Sequence, residues 1–142
     1  RSLPEPLRKV TKIPPIVRFA GVGVLGFFVD AATLIAMLQF FPEGIARFIA
    51  FCVAVTFTYM ANRWFTFDAR GQPGFFRSYV KFIIANSGGG IVNLIVSTTA
   101  LKLDLPVVSH PVIAVGIGSV AGMLINYTLS RRFVFARQPK PD

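Results

Sequence analysis

The chain has 142 residues, and 54% of them are hydrophobic, which is too large a share for a soluble domain of this length. Its formal net charge of +9 is compatible with nucleic-acid binding, but the cations cluster at the ends of apolar runs and not along one amphipathic face. We therefore expect a membrane protein with no nucleic-acid partner. The single cysteine, Cys52, excludes a disulfide within the chain, and no grouping of residues predicts a metal site, a cofactor or enzymatic activity.

Four apolar runs, taken in chain order, are each long enough to form a transmembrane helix. A basic arm that contains four prolines precedes them over residues 1–18, and a short basic tail follows over 136–142. The predicted helices cover about 19–41, 45–61, 79–101 and 112–129. The predicted fold class is therefore an all-α integral membrane protein whose transmembrane domain covers 19–135.

The cations lie almost entirely on one side of these four crossings. That side carries Arg1, Arg8, Lys9, Lys12, Arg18, Arg63, Arg70, Arg77, Lys81, Arg131, Arg132, Arg137 and Lys140. The other side carries only Arg47 and Lys102. Because short loops rich in Lys and Arg stay in the cytoplasm, this bias predicts a multi-pass protein with both termini and the central loop on the cytoplasmic side.

A six-residue motif follows the second apolar run, and a similar motif follows the fourth. The two copies are Asn62-Arg63-Trp64-Phe65-Thr66-Phe67 and Ser130-Arg131-Arg132-Phe133-Val134-Phe135. A shift of 63 residues also places Arg18-Phe19 on Lys81-Phe82, and a shift of 68 places Tyr59 on Tyr127. Since each half starts and finishes on the same side, we predict two parallel two-helix repeats. We interpret the aromatic residues of both copies as anchors in the headgroup layer.

Cations at the cytoplasmic ends of the helices are candidates for binding phosphate. The set consists of Arg63, Arg131 and Arg132, with Arg18 and Lys81 at the matching helix entries. Arginine can bind phosphate oxygens through paired N–H donors, so this ring of cations predicts a site for a phosphorylated lipid headgroup. The alternative is that the cations only set the topology and attract anionic membrane lipid. The repeat favours the phosphate site for Arg63 and Arg131 together, because both occupy the same point at a helix end.

Polar and small residues recur at helical spacing in all four runs, which predicts faces that point inward. The candidate polar pathway consists of Asp30, Asn62, Asn86, Asn93 and Asn126. Asp30 has two interpretations: a protonatable or cation-pairing group in a transport pathway, or a structural hydrogen bond to Asn93, Asn126 or Thr58. The spacing of Gly118 and Gly122 permits a tight helix contact within or between chains. We interpret Gly88-Gly89-Gly90 as a flexible or close-packed point.

With these motifs laid out, the chain resembles the GtrA-like family of small four-helix membrane proteins. The residues that carry the resemblance are Arg18-Phe19, Gly26 through Asp30, Lys81-Phe82 through Asn93, Asn126-Tyr127 and both copies of the six-residue motif. The resemblance implies flipping of a polyprenyl-phosphate-linked sugar across the bacterial cytoplasmic membrane, for cell-surface polysaccharide synthesis. Ser130 and Arg132 depart from Asn62 and Trp64, which argues against equal roles for the two halves.

Two other functions fit parts of the sequence. Some relatives in the family anchor or recruit a polyprenyl-phosphate glycosyltransferase, and the sequence does not separate that role from flipping. A proton-coupled small multidrug exporter also has four helices and an acid in the first, but such exporters need a weak charge bias. Four short helices enclose little volume, so we expect a homodimer or a complex with the glycosyltransferase.

Overall fold

The computed structural model describes residues 12–69, 71–103 and 105–136, and these residues form helices and connecting turns with no β-strand among them. Most of the predicted basic arm, and the predicted tail from residue 137 onward, lie outside the described residues. The helices are α1 (Pro15–Met37), α2 (Glu43–Ala61), α3 (Phe75–Lys102) and α4 (Pro111–Leu129). Helices α2 and α4 each continue into a π-helical turn, Asn62–Thr66 and Ser130–Val134.

All four helices are long and apolar enough to cross a membrane. Many of their large apolar side chains point away from the protein: Phe27, Phe48 and Phe76 are 67%, 68% and 77% exposed. Such a surface suits contact with lipid chains, and each helix satisfies its own backbone hydrogen bonds as the membrane interior requires. The predicted class, an all-α membrane protein with four spanning helices, is confirmed. Its organisation as two parallel repeats stays a prediction.

The helices begin earlier than their apolar runs, because backbone hydrogen bonding does not stop where hydropathy falls. Helix α1 begins at Pro15, inside the predicted arm, where proline is tolerated because the first helical N–H needs no partner. It ends at Met37 instead of residue 41, close to Pro42, which disfavours helical backbone at the residue before it. Helix α3 begins at Phe75 after Gly74, whose φ of 78° favours glycine.

The chain divides into two compact units, an N-terminal unit over Arg1–Gly71 and a C-terminal unit over Gln72–Asp142. In the N-terminal unit α1 packs against α2. Small side chains make this contact close: Ala46 and Ala50 are fully buried, and a Cβ added at Gly26 would overlap the Thr58 side chain. Van der Waals packing of small residues is the expected means of joining helices in lipid.

In the C-terminal unit α3 packs against α4 through three glycines. A Cβ added at Gly122 would lie 2.5 Å from the Gly89 carbonyl oxygen, and one added at Gly118 would lie 2.6 Å from the Asn93 carbonyl oxygen. The tight contact predicted for Gly118 and Gly122 therefore forms within the chain. Of the three consecutive glycines in α3, Gly89 is the close-packed one, whereas Gly90 has nothing within 4 Å of an added Cβ.

Candidate functional site

The six-residue motif of the N-terminal unit forms the π-helical turn that extends α2. Its wider backbone ring is closed by the Phe67 N–H, which donates to the Asn62 carbonyl oxygen at 2.9 Å. The Thr66 hydroxyl donates to Asn62 Oδ1 at 2.7 Å, and both of these residues are buried. The predicted end of the second helix, residue 61, matches the end of the α-helix, but helical backbone continues through the motif as a π-helical turn.

Arg63 lies inside the packed end of the N-terminal unit and is only 5% exposed. Its Nη1 donates to the hydroxyl oxygen of Tyr59, one turn earlier in α2, at 3.1 Å. Tyr59 has no exposed surface. A buried guanidinium is stabilised only where its N–H groups find acceptors, so the Tyr59 hydroxyl has a structural role that the sequence did not reveal. The one signal in the sequence was the match of Tyr59 to Tyr127 between the halves.

Arg18 joins the start of α1 to the same turn. Its Nη1 donates to the carbonyl oxygen of Phe65, while its Nε is buried without a hydrogen-bond partner among the described residues. The neighbouring Phe19 packs edge-on against Phe67, with ring centroids 6.1 Å apart. The π-helical turn is therefore fixed to α1 by one cation and one aromatic ring.

The C-terminal unit repeats this arrangement with a lysine. Lys81 Nζ donates to the Phe133 carbonyl oxygen at 3.4 Å, a longer and more exposed contact than that of Arg18. Phe82 packs against Phe135 at 6.1 Å. Phe135 is only 4% exposed, so it is a packing residue and its interpretation as a headgroup anchor is wrong. Phe133, in contrast, is 62% exposed and keeps that interpretation.

Arg131 and Arg132 are both exposed, in contrast to Arg63. Together with Tyr127 and Thr128 they line an open recess of about 400 Å³ beside the second π-helical turn. The Thr128 hydroxyl donates to the Leu124 carbonyl oxygen at 2.8 Å. The recess therefore combines two guanidinium groups with two hydroxyl-bearing side chains.

Three of the predicted pathway amides belong to the C-terminal unit. Asn126 Nδ2 donates to Asn86 Oδ1 at 3.1 Å, which joins α4 to α3. Asn126 Oδ1 and Ser130 Oγ are buried without a hydrogen-bond partner among the described residues. Asn93 is half-buried and faces Gly118, whose added Cβ would lie 2.5 Å from Asn93 Oδ1. These polar groups lie between the two helices of one unit.

Asp30 is half-buried on α1, about one turn beyond Gly26, the middle residue of that helix. In the described parts of the chain its carboxylate makes no hydrogen bond and no ion pair. The Thr58 hydroxyl, one of the structural partners that the sequence suggested for it, donates instead to the Ala54 carbonyl oxygen at 3.0 Å.

The five predicted phosphate-binding cations fall into two groups. The structure brings Arg18 to the turn of Arg63, and Lys81 to the turn of Arg131 and Arg132. A single ring of all five cations stays a prediction.

Replacing Arg18 with methionine is expected to destabilise the N-terminal unit by about 1 to 2 kcal/mol, because the Phe65 carbonyl loses a charged donor. The matching Lys81→Met change is expected to have a smaller effect, since its 3.4 Å contact is exposed. Unfolding of the purified protein in detergent micelles measures both. Arg77→Met removes an exposed cation and serves as the control; an equal loss in that variant would contradict the assignment.

Comparison with known proteins places both units in one family. The model of the family described as GtrA/DPMS, transmembrane domain, matches residues 18–135, which include both π-helical turns. The chain is also similar to the bactoprenol-linked glucose translocases of Shigella phage SfII and Shigella phage SfV. Each is 29% identical over 127 residues, which is 84% of this chain and 92% of the relative. This multi-pass membrane protein therefore belongs to the GtrA/DPMS transmembrane domain family.

Proposed function

We propose that this protein flips a polyprenyl-phosphate-linked sugar from the cytoplasmic to the outer leaflet of a bacterial cytoplasmic membrane, for cell-surface polysaccharide synthesis. The observation that carries the proposal is the similarity, along most of the chain, to two proteins named bactoprenol-linked glucose translocase. The family match over residues 18–135 agrees with it.

The chemistry of the substrate fits the side chains of the helices. A lipid-linked sugar has an anionic phosphate, a polar sugar and a long apolar tail, so its head needs polar partners while its tail stays in lipid. Exposed apolar residues on every helix offer a surface for the tail. In the N-terminal unit Asp30 is a half-buried polar group that can replace water around sugar hydroxyls, and in the C-terminal unit the half-buried Asn86, Asn93 and Asn126 can do the same. Asn62, at 2% exposed, instead accepts from Thr66 and belongs to the turn.

The charge distribution supports an orientation with both termini in the cytoplasm. Of the two cations on the opposite side, Arg47 forms a salt bridge with Glu43 at 2.9 Å, so its charge is partly neutralised. Both π-helical turns then lie on the side of the leaflet from which the substrate is taken. In this orientation Arg18, Lys81, Arg131 and Arg132 lie at the depth of the lipid phosphates.

A second protein subunit completes the path in this proposal. The recess beside the second π-helical turn has a volume of about 400 Å³, is not enclosed and is lined only by residues 127, 128, 131 and 132 of one helix end. Such a recess leaves much of a sugar phosphate uncovered, whereas ligand sites usually bury most of their ligand. Either a second copy of this chain or a polyprenyl-phosphate glycosyltransferase supplies the remaining wall.

Reconstitution of the purified protein in liposomes tests the proposal. A fluorescent polyprenyl-phosphate-linked sugar is placed in both leaflets, and a membrane-impermeant quencher reports how fast the inner pool becomes accessible. We expect faster exchange than in protein-free vesicles and in vesicles that contain an unrelated four-helix membrane protein. Exchange no faster than these controls, together with co-purification of a polyprenyl-phosphate glycosyltransferase, would instead identify a membrane anchor.

A further inference from the structure

The two copies of the six-residue motif place their matched arginines in opposite environments. Arg63 is buried and donates to the hydroxyl of the fully buried Tyr59. Arg131, at the matching position, is exposed and lines the recess together with Arg132 and Tyr127. The arginine of the motif is therefore buried with a hydrogen-bond partner in the N-terminal unit and exposed in the C-terminal unit.

Neighbouring residues account for this difference. In the first copy Trp64 follows Arg63, whereas in the second copy a further cation, Arg132, follows Arg131. Burying both guanidinium groups would place two like charges side by side in a medium of low dielectric constant, which is unfavourable. Exposing the pair avoids that cost and concentrates positive charge at one point of the surface.

No described group neutralises the exposed pair. Within residues 12–69, 71–103 and 105–136, neither Arg131 nor Arg132 makes a hydrogen bond or an ion pair. Their guanidinium N–H groups are therefore available to an anion from outside these segments. Each guanidinium presents paired N–H donors whose geometry matches the unesterified oxygens of a phosphate.

We infer that the C-terminal unit alone binds the phosphate of the lipid-linked sugar, through Arg131 and Arg132, and that Arg63 instead fixes the first π-helical turn through Tyr59. This inference rests on the proposed function. It gives Arg63 a different role from Arg131 and Arg132, although the sequence predicted one phosphate site for all three. It also assigns a role to Thr128: its hydroxyl proton is engaged by the Leu124 carbonyl, so its oxygen is left as an acceptor. An acceptor suits a sugar hydroxyl beside the phosphate and not the phosphate itself.

Binding of farnesyl phosphate to the purified protein in a neutral detergent, followed by native mass spectrometry, tests the inference. The double variant Arg131→Gln/Arg132→Gln is expected to weaken binding by at least about tenfold. The control Lys12→Gln/Arg77→Gln removes the same charge from two exposed positions on the same predicted side and is expected to change affinity by less than about twofold. Equal losses in the two double variants would reduce the site to general charge attraction and overturn the inference.

Variants of the N-terminal unit test the other half of the inference. Arg63→Gln is expected to lower the Tm but to leave the affinity of the folded protein for farnesyl phosphate within about twofold of the wild type. If that variant does not fold, Arg63→Lys takes its place, since lysine keeps the charge and a donor for Tyr59 but lacks the paired N–H donors that match a phosphate. A tenfold loss of affinity in either folded variant would show that Arg63 also binds the phosphate, contrary to the inference.

Two further measurements distinguish a prenyl-phosphate site from general phospholipid binding, and binding from transport. Phosphatidic acid carries the same phosphomonoester on a different lipid, so binding as tight as that of farnesyl phosphate would overturn the assignment to a prenyl lipid. Binding needs no movement between leaflets. A protein that binds through Arg131 and Arg132 but moves no lipid in liposomes would refute the proposed function and keep the site. Unchanged binding by the double variant of a protein that does move the lipid would refute the site alone.

Discussion

Replacing Gly89 with leucine is expected to separate α3 from α4 and to destabilise the C-terminal unit by about 3 kcal/mol or more. A Cβ at this position would overlap the Asn126 side-chain amide and lie 2.6 Å from the Gly122 carbonyl oxygen. The first of these contacts can be relieved by moving a side chain. The second is with backbone, so the helices themselves must move apart. Their separation would also break the hydrogen bond from Asn126 to Asn86.

The neighbouring glycine provides a matched control for this prediction. Gly90 is exposed on the same helix, and an added Cβ there meets nothing within 4 Å. Gly90→Leu makes the same change in helix propensity and hydropathy, but its Cβ does not approach α4. Denaturant titration in mixed micelles should therefore show a large loss of stability for Gly89→Leu and little loss for Gly90→Leu. Equal stability of the two variants would contradict the close packing of α3 on α4.

The contacts within each unit recur at the spacing that the sequence predicts for a repeat. Phe19 packs on Phe67 as Phe82 packs on Phe135, each pair with ring centroids 6.1 Å apart. The cation before each first phenylalanine, Arg18 or Lys81, donates to a carbonyl of the facing π-helical turn. Small shifts in register would destroy such pairing. The two-repeat prediction requires equivalent contacts within each half, and these two pairs of contacts meet that requirement for each half by itself.

Hydropathy and composition were sufficient to predict four spanning helices, because a membrane allows few alternatives to a helix of about 20 apolar residues. They could not give the helix ends. Helix α3 begins at Phe75 and includes polar residues such as Ser78, where helical hydrogen bonding starts before the apolar run does. Proline and glycine near the ends carried the missing information, as Pro15, Pro42 and Gly74 show.

The sequence could not predict that matched arginines would differ in burial. Arg63 and Arg131 occupy the same place in the motif, and periodicity treats them as equivalent. Each has a tyrosine one turn earlier in its helix, but packing buries Tyr59 and Arg63, whereas Tyr127 is half-buried and Arg131 is exposed beside Arg132. The continuation of each helix as a π-helical turn also depends on tertiary contacts, since donors from α1 and α3 bond the carbonyls of those turns.

Replacing Asp30 with leucine is expected to slow sugar-lipid transfer by at least about tenfold while leaving the protein as stable as the wild type or more stable. A carboxylate within a membrane span is unfavourable by up to about 3 kcal/mol, and no partner among the described residues compensates Asp30. The one partner that the sequence suggested for it within the N-terminal unit, Thr58, donates to its own helix. Removing the carboxylate therefore removes no described hydrogen bond, but it deprives the moving sugar of an acceptor.

The liposome assay and the unfolding measurement together decide between the two interpretations of Asp30. A pathway role predicts transfer at least about tenfold slower in Asp30→Leu, which corresponds to the loss of one charge-assisted hydrogen bond in the transition state. If Asp30 has a structural role, Asp30→Leu instead lowers the free energy of unfolding and the amount of folded protein. Asp30→Asn keeps the shape and an acceptor oxygen but cannot ionise. Transfer that survives in Asp30→Asn and is lost in Asp30→Leu would assign the residue to hydrogen bonding with the sugar, whereas loss in both would assign it to its charge.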